Sequence, residues 1–338
     1  ALALAARTTS PIRLLTKLLP LASPLHRLRS VSTRGGAEAV GRGKAMQPTA
    51  KRQRPPDALG DEMKQYEAET CDAVVDVSRP CVVRLDGHCF STYTKGFRRP
   101  YDTRINAAMV ATATDLLERF GAVTAYTESD EISLVWPPAA PQGVQLLPFN
   151  GRVQKVASVT AGYASARFNK HMLAQTFDPQ TEAALIARVE ASGAHFDARL
   201  FSLPSTERLH AYMRWRALHD CRRNSISMLA QAHFSAAQLH GVDARAMVRM
   251  LREEKGVDWA AQPAFFRYGS YVKKEEFTKQ AFNPKTQQQV LARRTRAVER
   301  AFKLPDDAEA CGFLLSRFWT PEGETGGGSS ILSTPDSP

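Results

Sequence analysis

Acidic residues are concentrated at two places where strands are predicted to end. Asp86 closes the apolar run CVVRLDG, while Glu128, Asp130 and Glu131 crowd into the turn of AYTESDEISLVW, whose flanks alternate as in a β-hairpin. Carboxylates this close repel one another unless a cation neutralises them, and Mg²⁺ prefers hard oxygen ligands together with substrate phosphates. The pattern favours a magnesium site for phosphoryl transfer, with Asp86, Asp130 and Glu131 as candidate catalytic residues.

Both signals also have an ordinary interpretation. An Asp-Gly pair after a strand is often only a turn, and acidic residues at the tip of a hairpin are often only solvated. The metal hypothesis gains weight if the fold places Asp86 beside Asp130 in one sheet.

A second polar signal lies on a predicted helix within RWRALHDCRRNSIS. Arg216, Asp220, Asn224 and Ser227 recur every three or four residues, which places them on one helix face. Such a stripe is either a solvated surface or a face that holds a triphosphate or a base edge.

The predicted elements follow the order strand, helix, strand, strand, helix, strand, which is the βαββαβ order of a ferredoxin-like α+β fold. In that topology the first strand and the hairpin share one sheet, and both helices cover one of its faces. The elements that define it are strand 81–87, helix 103–120 with Gly121 as its C-cap, hairpin 125–136, helix 153–174, strand 195–204 and a long helix from Ser205 or Thr206 to about Phe234. A helix at 244–255, a strand near 265–273 and a basic helix at 287–302 are predicted to follow.

Composition excludes some classes of protein. The 338 residues have room for about two domains. No apolar run approaches the roughly 20 residues of a membrane helix, and the five cysteines show neither a CxxC pair nor metal-ligand spacing with histidine. We therefore expect no membrane partner, a reduced compartment and no structural zinc.

The net charge of +11 belongs almost wholly to residues 1–54, which hold 11 Lys and Arg and one acidic residue. This Arg-, Ser- and Leu-rich composition is typical of a mitochondrial transit peptide. The alternative is a disordered basic tail that contacts RNA in a cytoplasmic protein. The predicted regions are a targeting leader at 1–55, a catalytic domain at 56–275, a basic helical C-terminal extension at 276–320 and a disordered tail at 321–338.

Five motifs, in this order, resemble those of the tRNA-histidine guanylyltransferase superfamily. They are RLDGHCFSTYT, FRRPYD, AYTESDEIS, FDARLFSLP and WRALHDCRRNSISMLAQAHFS, and the resemblance covers roughly residues 64–275. It implies a ferredoxin-like polymerase palm that adds nucleotides in the 3′–5′ direction to the 5′ end of tRNA, with two Mg²⁺ ions. The implied partners are tRNA, ATP, GTP and other nucleoside triphosphates, and the implied assembly is a homotetramer.

The resemblance also implies roles for individual residues. Asp86, the Gly87 carbonyl and Asp130 would ligate metal. The implied nucleotide contacts are Asp86, Gly87, His88, Cys89, Phe90, Ser91, Arg99, Ser129, Asp130 and Asn224. The implied phosphate or tRNA contacts are Arg199, Arg216, Arg222 and Arg223.

Residues that differ from the usual family pattern indicate which branch of the superfamily this sequence resembles. Guanylyltransferases of the family carry HINNLYN where this helix reads CRRNSIS, and the latter resembles the template-directed polymerases that repair tRNA 5′ ends. His88 stands where the family usually has Arg, and Arg99 where it usually has Lys, which keeps the charge but changes the geometry.

We therefore expect a template-dependent 3′–5′ polymerase that repairs truncated tRNA after 5′ activation by ATP. One alternative is a tRNA-His guanylyltransferase that adds a single G, against which the CRRNSIS helix argues. Another is a palm protein that binds nucleotide or RNA without catalysis, against which the intact Asp86, Asp130 and Glu131 argue. A nucleotide cyclase shares the palm, but the sequence has no GGDEF-type hairpin.

Overall fold

The computed structural model describes residues 58–140, 146–285 and 287–319. The leader predicted for residues 1–55 and the tail predicted for residues 321–338 lie outside the described residues. None of the described helices is long and apolar enough to cross a membrane.

Antiparallel strands of the described residues form a single six-stranded sheet. The strands are β1 Cys81–Gly87, β2 Thr124–Glu128, β3 Glu131–Trp136, β4 Phe196–Ser202, β5 Ser270–Asn283 and β6 Gln288–Arg300. Their order across the sheet is β4-β1-β3-β2-β5-β6. The first four strands have the order of a ferredoxin-like fold, so the α+β prediction is confirmed.

Helices lie on both faces of this sheet and beyond its edge. They are α1 Ala58–Cys71, α2 Phe90–Tyr93, α3 Thr103–Phe120, α4 Val153–Leu173, α5 Ala183–Glu190, α6 Thr206–Arg214, α7 Arg222–His233, α8 Ala236–Leu239, α9 Ala244–Lys255, α10 Ala264–Tyr268 and α11 Ala308–Leu315. As predicted, α3 and α4 cover one face together, where they pack against each other and the sheet.

The helix α3 begins and ends where its sequence predicts. Asp102 caps its N-terminus by accepting the Arg104 N–H at 3.0 Å, and Gly121 ends it in the left-handed region at φ 72°. Its apolar residues form a first core with α4 and the sheet. Because side chains alternate along β1, Val83 enters this core while Val82 points to the opposite face.

The single helix predicted from Ser205 to Phe234 is two helices joined by a π-helical segment. Ser205 caps α6 as predicted, but Trp215–Cys221 is π-helical before α7 begins. A π segment adds a residue to the turn and occurs frequently at functional sites. Sequence periodicity gave no sign of this segment. Arg216 within it forms an ion pair with Glu131 of the sheet, a non-local contact.

The basic helix predicted for residues 287–302 is wrong, because this segment forms β6. It pairs with β5 along its whole length, beginning with Tyr271 opposite Arg300. Arginines of β6 form ion pairs with Glu275 and Glu276 of β5. Charged residues lie on both faces of this two-stranded ribbon, which conceals the two-residue period of a strand.

The boundary predicted between residues 275 and 276 falls inside β5, so the helical extension predicted for 276–320 is also wrong. That segment instead completes the sheet and a second core on the face opposite α3 and α4. This second core joins Tyr126 of the sheet to Phe302, Phe313 and Trp319. Burying these rings against the sheet makes the C-terminal segment part of the same folded unit as the sheet.

Lys273 of β5 is buried and ties the C-terminal segment to the sheet. Its Nζ lies 2.9 Å from Thr124 Oγ1, and 2.6 Å and 2.5 Å from the carbonyl oxygens of Phe313 and Ser316. Burial lowers the pKa of Lys273 to about 7.

We expect the Lys273→Met variant to lose a pH dependence of folding that this amine supplies. The ordinary pKa of lysine is 10.5, so between the two values the unfolded chain binds a proton that the folded chain does not. The free energy of unfolding of the wild type should therefore rise relative to Lys273→Met, by about 3 kcal/mol from about pH 7 to about pH 10. Urea unfolding followed by circular dichroism measures this difference.

The matched control is Lys279→Met, on the exposed part of β5. This variant should follow the wild type at every pH. A constant difference between the wild type and Lys273→Met across the range would contradict the prediction.

Candidate active site

The turn between β2 and β3 lies beside the end of β1. Ser129 adopts a left-handed conformation at φ 48°, and its hydroxyl donates to Asp130 Oδ1 at 3.0 Å. The Gly87 N–H donates to the Asp130 carbonyl, also at 3.0 Å. Asp86 lies opposite Glu131 in the register of β1 and β3. The fold therefore brings the Asp-Gly and Ser-Asp motifs together, as the topology predicted.

Negative charge is incompletely offset at this turn. Burial, and then the charge of Asp86, raises the pKa of the Asp130 carboxyl, although the Ser129 hydroxyl acts in the opposite direction. Asp86 accepts a hydrogen bond from Arg84 Nη2 at 2.8 Å. The charged form of Asp130 is therefore disfavoured here, and a bound cation would stabilise it.

The donor set fits Mg²⁺. Asp86 and Asp130 supply carboxylates, and Gly87, whose N–H donates to the Asp130 carbonyl, can supply a backbone carbonyl. No group of three or more His, Cys, Asp or Glu side chains in the described residues is placed to hold a metal by itself. Magnesium in phosphoryl-transfer sites commonly takes one or two carboxylates and completes its shell with water and substrate phosphates. The pair matches that open kind of site rather than a closed structural one.

Glu131 is bound by two arginines. Its Oε1 accepts from Arg84 Nη2 at 2.6 Å, its Oε2 accepts from Arg84 Nε at 2.9 Å, and Arg216 forms a further ion pair with it. Arg216 also pairs with Asp220 of the π-helical segment. These contacts favour a role in positioning Arg84, and through it Asp86, over the catalytic role predicted for Glu131.

The predicted phosphate contacts have different surroundings. Arg216 is only 4% exposed and is engaged by carboxylates, so these surroundings do not favour the contact with phosphate or tRNA that stays a prediction for it. The side chains of Arg199 and Arg223 are 60% and 71% exposed. Arg222 lies over the Trp259 ring, 5.2 Å from its centroid. Three of the four arginines are therefore accessible to a partner.

A cleft of about 360 Å³ opens beside the Ser-Asp turn. It is lined by several residues that the resemblance marks as nucleotide contacts, namely Phe90, Ser91, Arg99, Ser129, Asp130 and Asn224. Apolar and aromatic side chains complete it, among them Tyr101, Met228, Phe265 and Phe266. A largely apolar cleft with a few convergent polar groups is typical of a small-molecule site.

The loop after β1 is anchored by a buried ring. A Cβ at Gly87 would lie 2.4 Å from the Phe90 ring, so only glycine fits there. The same ring is 3% exposed and packs against Phe168 and Phe196. The close approach that Gly87 permits is therefore to Phe90, which anchors the loop to the core as well as lining the cleft.

His88 and Cys89 are exposed on this loop and do not line the cleft. The His88 N–H donates to the His195 carbonyl at 2.9 Å, and the two imidazole rings lie 4.9 Å apart. Cys89 is left-handed at φ 54°, with its Sγ 3.3 Å from His88 Nε2. The backbone and ring of His88 therefore join the end of β1 to His195, the residue that directly precedes β4.

Glu128 lines the cleft although sequence analysis gave it no role. It is 4% exposed, and its Oε1 has no hydrogen-bond partner in the part of the chain that the structure describes, the guanidinium of Arg216 lying 4.0 Å away. Burial raises the pKa of Glu128 to about 7, although Arg216 acts to lower it. A signal existed, since alternation along β2 places Glu128 on the same face as the buried Tyr126.

Comparisons with known proteins agree with this geometry. A family model described as tRNAHis guanylyltransferase (Thg1) matches residues 60–204. A bacterial tRNA(His) guanylyltransferase (Thg1)-like protein, solved in complex with ATP, is 31% identical and has a TM-score of 0.56, over 69% of this chain and 91% of that one. An uncharacterised protein of Acanthamoeba polyphaga mimivirus is 32% identical over 65% of this chain and 78% of its own length.

The tRNA(His) guanylyltransferase of Neurospora crassa is 27% identical over 56% of this chain and 65% of its own length. The matched family region contains both the Asp-Gly and the Ser-Asp motif. The resemblance stated from the motifs is thus confirmed. The chain belongs to the tRNA-His guanylyltransferase superfamily and is a nucleotidyltransferase of the tRNA guanylyltransferase type.

Proposed function

We propose that this enzyme adds nucleotides in the 3′–5′ direction to the 5′ end of tRNA, copying the opposite strand, and thereby repairs truncated tRNA. The proposal rests on one placement: Asp86 and Asp130 lie together beside a cleft lined by Ser91, Arg99 and Asn224. This arrangement offers hard oxygen ligands next to donors for a triphosphate.

The helix sequence supports repair over single-G addition. CRRNSIS stands where guanylyltransferases of the family carry HINNLYN. The substrates we propose are tRNA, ATP, GTP and the other nucleoside triphosphates.

In the reaction, the 3′-hydroxyl of the incoming nucleotide attacks the 5′ phosphate of tRNA. The leaving group is AMP when the 5′ phosphate has been activated by ATP, and pyrophosphate when the tRNA carries a 5′ triphosphate. Asp86, the Gly87 carbonyl and Asp130 would hold two Mg²⁺, which when bound lower the pKa of the hydroxyl and neutralise the triphosphate. Arg84 fixes the Asp86 carboxylate through its hydrogen bond. Arg99 supplies a fixed positive charge for phosphate.

The exposed arginines are suited to tRNA. Arg199, Arg222 and Arg223 offer guanidinium groups that bind phosphate, and Arg223 is held by Asp220 at 3.2 Å. We also propose a mitochondrial location, from the composition of residues 1–55, and a homotetramer, which the family resemblance implies.

Replacing Asp130 by alanine should abolish nucleotide transfer. The variant lacks a proposed metal ligand, so the rate should fall by at least about a hundredfold. The fold should persist, because the Gly87 hydrogen bond uses the Asp130 backbone. Incorporation of labelled nucleotide into tRNA by the full chain measures the rate, and circular dichroism checks the fold.

Asp72→Ala, at an exposed position just after α1, is the control and should extend tRNA like the wild type. Extension at the wild-type rate by a folded Asp130→Ala enzyme would refute the assignment of the site.

Two transcripts separate the proposed repair activity from guanylyltransfer. One is a tRNA that lacks its first acceptor-stem nucleotide, and the other is full-length tRNA-His. We expect the full chain, given Mg²⁺, ATP and four labelled nucleotides, to fill the truncated tRNA with the nucleotide that pairs with the opposite strand. Sequencing of the 5′ end identifies the added nucleotide.

Addition of a single G to tRNA-His alone would show that the enzyme is a guanylyltransferase and would overturn the proposed repair activity. Extension of neither transcript, with nucleotide still bound, would favour a non-catalytic palm.

A further inference from the structure

Glu128 places an unsatisfied hydrogen-bond acceptor in the wall of the cleft. The side chain is nine-tenths buried or more, yet its Oε1 has no partner among the described residues. Among the described residues, the cation near it is Arg216, whose Nη2 is 4.0 Å away, beyond hydrogen-bonding distance. A buried carboxylate oxygen without a donor is costly, so the site is incomplete without a ligand that donates to it.

The neighbouring groups do not satisfy this oxygen at the distances observed. Arg216 forms ion pairs with Glu131 and Asp220, and its Nη2, which also has no hydrogen-bond partner among the described residues, stays 4.0 Å from Glu128 Oε1. Asp130 and Asp220 add negative charge, and the Cys221 thiol beside Glu128 is a weak donor. We therefore assign the donor to a group of the bound molecule.

The chemistry of a nucleotide limits which of its groups can be this donor. A triphosphate has no proton to donate at neutral pH and would be repelled by the carboxylate, which leaves ribose hydroxyls and base N–H groups. Glu128 directly precedes Ser129–Asp130, where the phosphates are expected. The cleft continues along α7 to Gln231, which the helical rise places about 10 Å beyond Asn224. Ribose lies between phosphate and base, so the donor nearest the phosphate end is a ribose hydroxyl.

We propose that Glu128 accepts a hydrogen bond from a ribose hydroxyl of the bound nucleoside triphosphate and thereby favours nucleotides that carry this hydroxyl over those that lack it. This inference rests on the proposed function, since it takes the cleft to be the nucleotide site. Glu128 is then a specificity-determining residue, distinct from the carboxylates that would hold metal.

The test compares the binding of ATP, 2′-deoxyATP and 3′-deoxyATP, with Mg²⁺, to the full-length wild type and to two variants by calorimetry. Loss of the contacted hydroxyl should weaken binding to the wild type by about tenfold, because a hydrogen bond to a charged group is lost. In Glu128→Ala the same analogue should bind within about twofold of ATP. Glu128→Gln keeps an uncharged acceptor, so its ratio should lie between these limits.

The ratio of two dissociation constants of one variant cancels any general weakening caused by the substitution. Glu118→Gln, exposed on α3, is the matched control and should keep the wild-type ratio. The analogue that shows the effect tells whether the 2′- or the 3′-hydroxyl is bound.

An equal penalty for the deoxy analogues in the wild type and Glu128→Ala would overturn the inference, as would equal binding of all three nucleotides by the wild type. Purine riboside triphosphate, which lacks the 6-amino group of ATP, is a further probe. A Glu128-dependent penalty for this probe alone would place the contact on the base and overturn the ribose assignment. If the wild type binds none of these nucleotides, the proposed function itself fails.

Discussion

Carboxylates converge at one end of the sheet because the antiparallel register places them there. Asp86 of β1 lies opposite Glu131 on one side and Asp197 on the other, and Glu128 lies opposite Glu131 across the turn. Like charges directly opposite one another destabilise a sheet. The fold depends on offsetting this repulsion, and two guanidinium groups do so.

The first guanidinium comes from inside the sheet and the second from the helix above it. Arg84, within an otherwise apolar strand, bridges Asp86 and Glu131. Arg216 reaches Glu131 from the π-helical segment, which fixes that segment against the sheet. Removing one partner of a buried ion pair costs about 3–5 kcal/mol, because the other charge is left uncompensated. The same ion pairs therefore hold the acidic residues in register and set where α7 begins.

The arginines neutralise some of these carboxylates but not others, and the carboxylates that are not neutralised are the ones at the candidate site. Glu131 is shared by two arginines, while Asp130 and Glu128 both have raised pKa values. The acidic cluster thus divides into a neutralised part that maintains the structure and an uncompensated part that faces the cleft. Groups whose charge is disfavoured in the free protein are those that gain most from a ligand.

Local signals were enough to predict much of the fold. The helix α3, its two caps and the hairpin are specified by spacing and by cap residues within a few positions. The topology alone predicted that Asp86 and Asp130 lie close together. What the sequence did not predict is non-local: β6 is specified by its pairing with β5, and Arg216 of the π-helical segment is engaged by Glu131 of β3. A single sequence gives no access to such pairings.

The part of the chain that matches the family model and the part that follows it contribute different sides of the cleft. The family model ends at residue 204, after the strands that hold the acidic motifs. The opposite wall of the cleft comes later in the chain, from Asn224 and Met228 of α7 and from Phe266 of α10. Because Arg216 and Glu131 join the two regions, the wall is held in a fixed position relative to the carboxylates. Both segments thus line the cleft, and a substitution in the later wall, at Asn224, Met228 or Phe266, would change the shape of the cleft without moving the proposed metal ligands.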